Sequence, residues 1–346
     1  MSFIKKVFSN ALENYLLAVK NDKICSYKPT PDTFDGKAFT IDEFNNTYGK
    51  YFDDPAGFYI DNSDTSPLNF REGEHFNKKY SYKSKFSPGS YLFDAPIKTL
   101  WPENNTVPFK WFTNKKNRSK TILLFAPGGW RPNYRAEELF CNKLFEGGID
   151  VGLMTVPYQI ERTPAAANYS GEYFISGNVF FTIENFRVFV AEIRRMVQYM
   201  KQHYQYVGLI GMSSGGFYTG ITADIEEIDF LFPYITGCKL GSITFNGKIT
   251  KFARRSLLEN NVDEDALNKA WSISDQLNLG KHLKAKHVKH YIALYDLIVP
   301  TEYQYLLWEV YGKQAKLELE TGHTTSYFMF EEITRDIINF VKERTI

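Results

Sequence analysis

From residue 121 onwards the chain alternates short apolar runs with longer segments of helical periodicity. The runs are TILLFAPGG, DVGLMTVPY, YVGLIGMS, GSITFNG, HYIALYDLIV and KLELETG. Their spacing predicts the strands of a parallel sheet buried on both faces, because a strand covered by helices on either side has no polar alternation. The clearest helix spans 181–204, where Ile183, Phe186, Val190, Ile193, Val197, Met200 and Tyr204 recur every three or four positions. Residues 248–289 leave room for two or more helices where a crossover needs one, so the surplus predicts a helical lid insertion.

The first residues, MSFIKKVFSNALENYLLAVKNDK, place Ile4, Val7, Phe8, Ala11, Leu12, Leu16 and Val19 at helical spacing, interrupted by Asn10, Glu13 and Asn14. That is an amphipathic helix and lacks the unbroken apolar block of a secretory signal. Docking on the domain is favoured over membrane contact through this helix, since Lys5 and Lys6 are too few for strong attraction to anionic lipid. Residues 28–87 are polar, dotted with aromatics and punctuated by Pro and Gly. The expected division is therefore 1–86, a helix with a loop-rich extension, and 87–346, an α/β domain.

At 346 residues with 43% hydrophobic and 16% aromatic positions, one large core with additions is expected. A net charge of +1 without a long basic run excludes a phosphate backbone as the natural partner, so no nucleic acid is expected. No apolar run approaches the roughly 20 residues that cross a bilayer. Cys25, Cys141 and Cys238 are few, odd in number and far apart, which argues against disulfides and for buried thiols in a reducing, cytoplasmic setting.

One motif carries chemistry. The strand YVGLI runs into Gly211-Met212-Ser213-Ser214-Gly215 and continues into a segment rich in small residues, the strand-turn-helix of a nucleophile elbow with Ser213 at its tip. A serine hydroxyl needs a base within hydrogen-bond reach and an acid to orient that base. Asp296 follows the run HYIAL, at the carboxyl end of a strand where ligands of open α/β sheets gather, and His323 follows the next run. His75, His203, His282, His287 and His290 do not follow a late strand. His287 and His290 are spaced for a shared metal but have no third ligand nearby, so no metal and no cofactor is expected. The oxyanion donors expected are the amide of Ser214 and that of Gly129, with Trp130 as the alternative, on the loop PGGWRPNY. Trp130, Tyr158, Phe217 and Tyr327 are candidate pocket walls, and Arg131 and Arg162 candidate contacts to an anionic part of a substrate.

The set PGGW, GMSSG, YDLIVP and TGH, in this order on these elements, resembles the α/β-hydrolase superfamily of serine hydrolases over about residues 87–346. The phrases VPYQIERTP, GMSSGGFYTG and GHTTSYFMFEEITRDIINF are also similar to a branch of α/β-hydrolase-domain-containing proteins. The resemblance implies an eight-stranded, mostly parallel sheet and a Ser-His-Asp triad on Ser213, His323 and Asp296. It departs from many members where Pro127-Gly128 replaces His-Gly, which leaves the second oxyanion donor open. The implied activity is hydrolysis of carboxylic esters through an acyl-enzyme, with a small-molecule ester carrying an apolar or aromatic group as substrate. The alternatives are a serine peptidase of the same fold and a silent hydrolase-fold scaffold.

Overall fold

The computed structural model describes residues 2–24, 33–34, 37–38, 40–60, 68–72, 89–114 and 116–345. Among them, nine strands form one sheet: β1 (Arg71–Glu72), β2 (Gly89–Asp94), β3 (Thr106–Phe112), β4 (Thr121–Ala126), β5 (Asp150–Met154), β6 (Tyr206–Met212), β7 (Ile228–Tyr234), β8 (Ala285–Ala293) and β9 (Ala315–Leu319). Their spatial order is β9-β8-β7-β6-β4-β5-β3-β2-β1. The six strands from β4 onwards pair parallel, and β1, β2 and β3 join antiparallel at the other edge. The ninth strand beyond the eight implied by the resemblance is accommodated at that edge, where β1 is only two residues long.

The parallel strands are apolar throughout because both faces are covered. Every residue of β4 and β5 is buried. Along β4 the side chains alternate, with Ile122 and Leu124 joining one core and Leu123 and Phe125 the other. On the first face lie α5 (Val179–Met200) and α6 (Ser214–Ile225), and on the second α4 (Arg135–Glu146) and α12 (Phe330–Lys342).

Two expectations change. GSITFNG is not a strand: its first six residues belong to a short helix, Leu240–Asn246, whose buried Leu240, Thr244 and Phe245 fall at helical spacing. A short apolar run does not by itself distinguish strand from helix, and here packing against the helices Lys251–Glu259 and Glu264–Ala270 decides. The strand of that crossover is β7, IDFLFPY, immediately after α6. The second concerns the first helix, α1 (Ser2–Ile24), which docks by the face opposite to its apolar one. Ser9, Glu13 and Leu17 are buried, while Phe3, Ile4, Val7 and Phe8 stay 51–77% exposed. Among the described residues no helix is long and apolar enough to cross a membrane.

Within the extension, Thr40 caps the helix Ile41–Tyr48 through the Glu43 amide, and a second helix covers Pro55–Ile60. Phe44, Tyr51, Phe58 and Tyr59 from this region enter the first core. So do Phe252, Leu257, Leu267 and Trp271 from 248–289, where the Trp271 indole donates to the Val179 carbonyl oxygen at 3.2 Å. Cys141 and Cys238 are buried free thiols, held protonated by burial, and Cys25 lies outside the described residues.

Candidate active site

The elbow is built by two glycines that leave no room for a side chain. β6 ends at Met212 and α6 begins at Ser214, so the chain reverses within one residue. Ser213 takes φ 55°, ψ −123°, a conformation that costs a non-glycine residue on the order of 1–3 kcal/mol. A β-carbon on Gly211 would lie 2.0 Å from Thr219 Oγ1 and 2.5 Å from Gly216 Cα. On Gly215 it would meet the Ala126 carbonyl oxygen at 2.0 Å. The tight turn therefore rests against the end of β4, and the strained backbone lifts the hydroxyl clear of the sheet.

Asp296 and His323 arrive from the next strands. β8 leads into the turn with Asp296, whose carboxylate is well supplied with donors. Its Oδ1 accepts from the amides of Ile298 at 2.8 Å and Val299 at 2.9 Å, and its Oδ2 accepts from Gln304 Nε2 at 2.9 Å. β9 leads into the loop with His323, whose carbonyl oxygen accepts from Ser326 Oγ at 2.7 Å. His323 Nδ1 lies 2.7 Å from Asp296 Oδ2, and His323 Nε2 lies 2.9 Å from Ser213 Oγ. Hydroxyl, imidazole and carboxylate thus form one connected chain, buried at the acid end and reaching a partly open hydroxyl. A neutral imidazole protonated at Nδ1 satisfies both contacts, leaving Nε2 to accept the serine proton.

The loop after β4 lies directly against this hydroxyl. A β-carbon on Gly128 would come 3.7 Å from Ser213 Oγ, whereas one on Gly129 would strike the ring of Phe174 at 2.6 Å. Trp130 has φ 54°, its ring packs edge-on to Phe174 with centroids 5.2 Å apart, and its buried indole N–H has no hydrogen-bond partner among the described residues. Ser214 is the first residue of α6, so its amide is among the helix-start donors without an intrahelical acceptor. A negatively charged oxygen next to Ser213 would meet that helix end.

Several candidate binding residues are engaged elsewhere. Arg162 is fully buried and forks onto Glu192 at 2.7 and 2.8 Å, also donating to the Thr155 and Asn104 carbonyl oxygens. It is a core ion pair and not a contact for an anionic substrate. Arg131 has its Nε 2.9 Å from Glu137 Oε1 and lies over the ring of Tyr327, whose hydroxyl donates to the same carboxylate. These three link the loop after β4 to the turn after His323, so Arg131 and Tyr327 serve as a brace. Phe217 faces inward from α6 towards Phe186 and is core, not pocket wall. Tyr158 is buried among Trp101, Tyr173 and Phe181 and borders a separate cleft of about 210 Å³. Trp130 lies two residues beyond Gly128 and packs on the buried Phe174. His287 and His290 project to opposite faces of β8, being an odd number of residues apart on a strand. His290 is fully buried, and burial lowers its pKa to about 3.

Two supporting groups carry no signal in the sequence. Gln304, on the helix Thr301–Val310, donates to Asp296 and to the Val299 carbonyl oxygen while accepting from the Ala293 amide. Glu13 reaches the same region from α1. A motif search finds neither, since each is defined only by where distant elements meet.

No family model matches the chain, and no curated protein matches it in sequence. Solved structures do match. An acetyl xylan esterase from Paenibacillus sp. R4 is 17% identical with a TM-score of 0.60, over 92% of this chain and 98% of that one. Acetyl xylan esterase 1 from Thermoanaerobacterium sp. JW/SL YS485 is 15% identical with a TM-score of 0.57, over 90% and 98%. The acylaminoacyl peptidase of Pyrococcus horikoshii is 13% identical with a TM-score of 0.54, over 75% of this chain and 42% of that one.

Proposed function

We propose that this chain, which has the α/β-hydrolase fold, is a serine hydrolase that cleaves carboxylic esters through an acyl-enzyme. The observation that carries the reading is the unbroken contact from Ser213 Oγ through His323 to Asp296, at 2.9 and 2.7 Å, at a residue held in the strained elbow conformation. His323 Nε2 takes the hydroxyl proton as Ser213 attacks the ester carbonyl, and Asp296 stabilises the resulting imidazolium. The amide of Ser214 and one from the loop after β4, Gly129 or Trp130, hold the oxyanion, each worth about 3 kcal/mol in the transition state. The imidazolium then protonates the leaving alkoxide. Water, deprotonated by the same nitrogen, attacks the acyl-enzyme and releases the acid.

Ester chemistry is favoured over peptide cleavage by length. The two acetyl xylan esterases align over 98% of their own chains, whereas the peptidase aligns over 42% of its chain. Half-buried Trp130, on the loop whose Gly128 lies against Ser213, offers an aromatic surface suited to an apolar or aromatic part of a small ester. The test is a fluorophosphonate probe with p-nitrophenyl ester and aminoacyl-amide panels on the purified protein. Wild type is expected to be labelled and to turn over esters, and Ser213→Ala to lose labelling and at least about 10⁴-fold in turnover. A folded wild-type protein inert to the probe and to both panels refutes the reading.

A further inference from the structure

We infer that the N-terminal helix completes this site, with Glu13 as a positioning residue that clamps the acid loop to the base loop. The inference rests on the serine hydrolase reading and assigns a role to a helix outside the sheet. Glu13 is fully buried. Its Oε2 accepts from the Leu297 amide and its Oε1 from the Thr324 amide, each at 3.0 Å. These are the residues directly after Asp296 and directly after His323, so one carboxylate bridges the two loops whose spacing sets the Asp296–His323 contact. The cradle is shaped for it: a β-carbon on Gly322 would lie 2.2 Å from Glu13 Oε1, so the glycine before His323 leaves the space that the carboxylate fills.

The rest of the docked face agrees. Lys5 pairs with Glu320 at 2.7 Å, Ser9 Oγ lies 3.1 Å from Thr325 Oγ1, and Leu17 is buried. Lys5, Ser9, Glu13 and Leu17 are spaced four apart and form one stripe along α1. A helix placed only to hide apolar surface would turn Phe3, Ile4, Val7 and Phe8 inward, and this one leaves them exposed. The polar stripe against the base loop is what the docking satisfies. Burying a carboxylate beside Asp296 is costly, and burial, then the charge of Asp296, raise the pKa of Glu13. The nearby His323 and the two amides oppose that shift. The ionisable groups that act most strongly on its carboxylate are Asp296 and His323, and a negative Glu13 favours the imidazolium that forms during attack.

The experiment uses the full chain with Glu13→Gln, nearly the same shape with one acceptor oxygen replaced by a donor, and Gly322→Ala, which intrudes on the carboxylate and leaves the triad residues in place. Both are expected to lower kcat and the rate of fluorophosphonate labelling by about 10–100-fold, with KM within about twofold. In Glu13→Gln the acid limb of kcat/KM moves to lower pH, because a neutral side chain no longer favours the imidazolium. The low-field Nδ1–H proton resonance of His323 shifts or broadens in both variants, and this readout needs no turnover. Unchanged labelling rate per folded molecule with an unchanged resonance overturns the inference, as does a loss that tracks only the unfolded fraction. If wild type itself is inert to probe and esters, the hydrolase reading fails, and the resonance alone still decides whether Glu13 positions the imidazole.

Discussion

The amide of Ser213 donates to the Tyr234 carbonyl oxygen at 2.8 Å, and the Tyr234 hydroxyl donates to the Ser326 carbonyl oxygen at 3.0 Å. Ser326 Oγ in turn bonds the His323 carbonyl oxygen. One residue at the end of β7 therefore ties the elbow to the turn that carries His323. Ser213 and His323 are held by backbone and tyrosine contacts in addition to their own hydrogen bond, which is how a strained residue keeps its conformation.

That strain makes a measurable prediction. Glycine adopts φ 55°, ψ −123° without the clash a β-carbon suffers. Ser213→Gly is expected to abolish turnover and to raise stability by about 1 kcal/mol, after the extra unfolded-state entropy of glycine offsets part of the relief. Calorimetric melting checks it, and a lower melting temperature than wild type would show that the elbow stores no strain.

Gln304 predicts a loss of rate with the triad intact. Replacing it with leucine strips Asp296 of its side-chain amide donor and leaves the buried Ala293 amide unsatisfied, a cost of about 1–3 kcal/mol in stability. The carboxylate then turns freely enough to weaken the 2.7 Å contact with His323. Gln304→Leu is expected to lower kcat about tenfold, with KM little changed, measured by steady-state ester hydrolysis.

Asp224 on α6 makes a pH prediction. It is buried, neither carboxylate oxygen has a hydrogen-bond partner among the described residues, and burial raises its pKa well above the usual carboxylate value. Below the unfolded pKa of about 3.9 both states hold the proton and the group has no effect. Above it the unfolded chain releases the proton and the native state keeps it, so this group lowers stability by about 1.4 kcal/mol per pH unit until the folded pKa is reached. Asp224→Asn removes that slope. Denaturant titrations from pH 4 to pH 7 are expected to show the variant gaining on wild type as pH rises, and parallel curves would contradict it.

The layout was legible where periodicity and chemistry coincide. β4, β5, β6 and β8 announce themselves as apolar runs, and the glycines of the elbow are explained by the atoms they clear. β7 is not legible because IDFLFPY follows the acidic end of α6 without a turn signal, and GSITFNG mimics the strand in its place. β2 and β3 give no such apolar signal, because Pro108 and Lys110 interrupt the apolar residues of β3 and small or polar residues bracket the three buried positions of β2. At the site, Ser213, Asp296 and His323 could be named because each follows a strand. The fate of Arg131, Arg162 and Phe217 could not, because an arginine's partner is set by packing between distant segments. Glu13 lies beyond any local rule, being 284 residues from one of its partners and 311 from the other.

Strand order has a practical outcome. The serine hangs from β6, well inside the sheet, while the imidazole hangs from β9, its terminal strand. Terminal strands open at lower free energy than interior ones. Gentle heating or dilute urea is therefore expected to part His323 from Ser213 by fraying one margin while the serine turn and the central strands persist, and cooling to restore their contact without a full refolding.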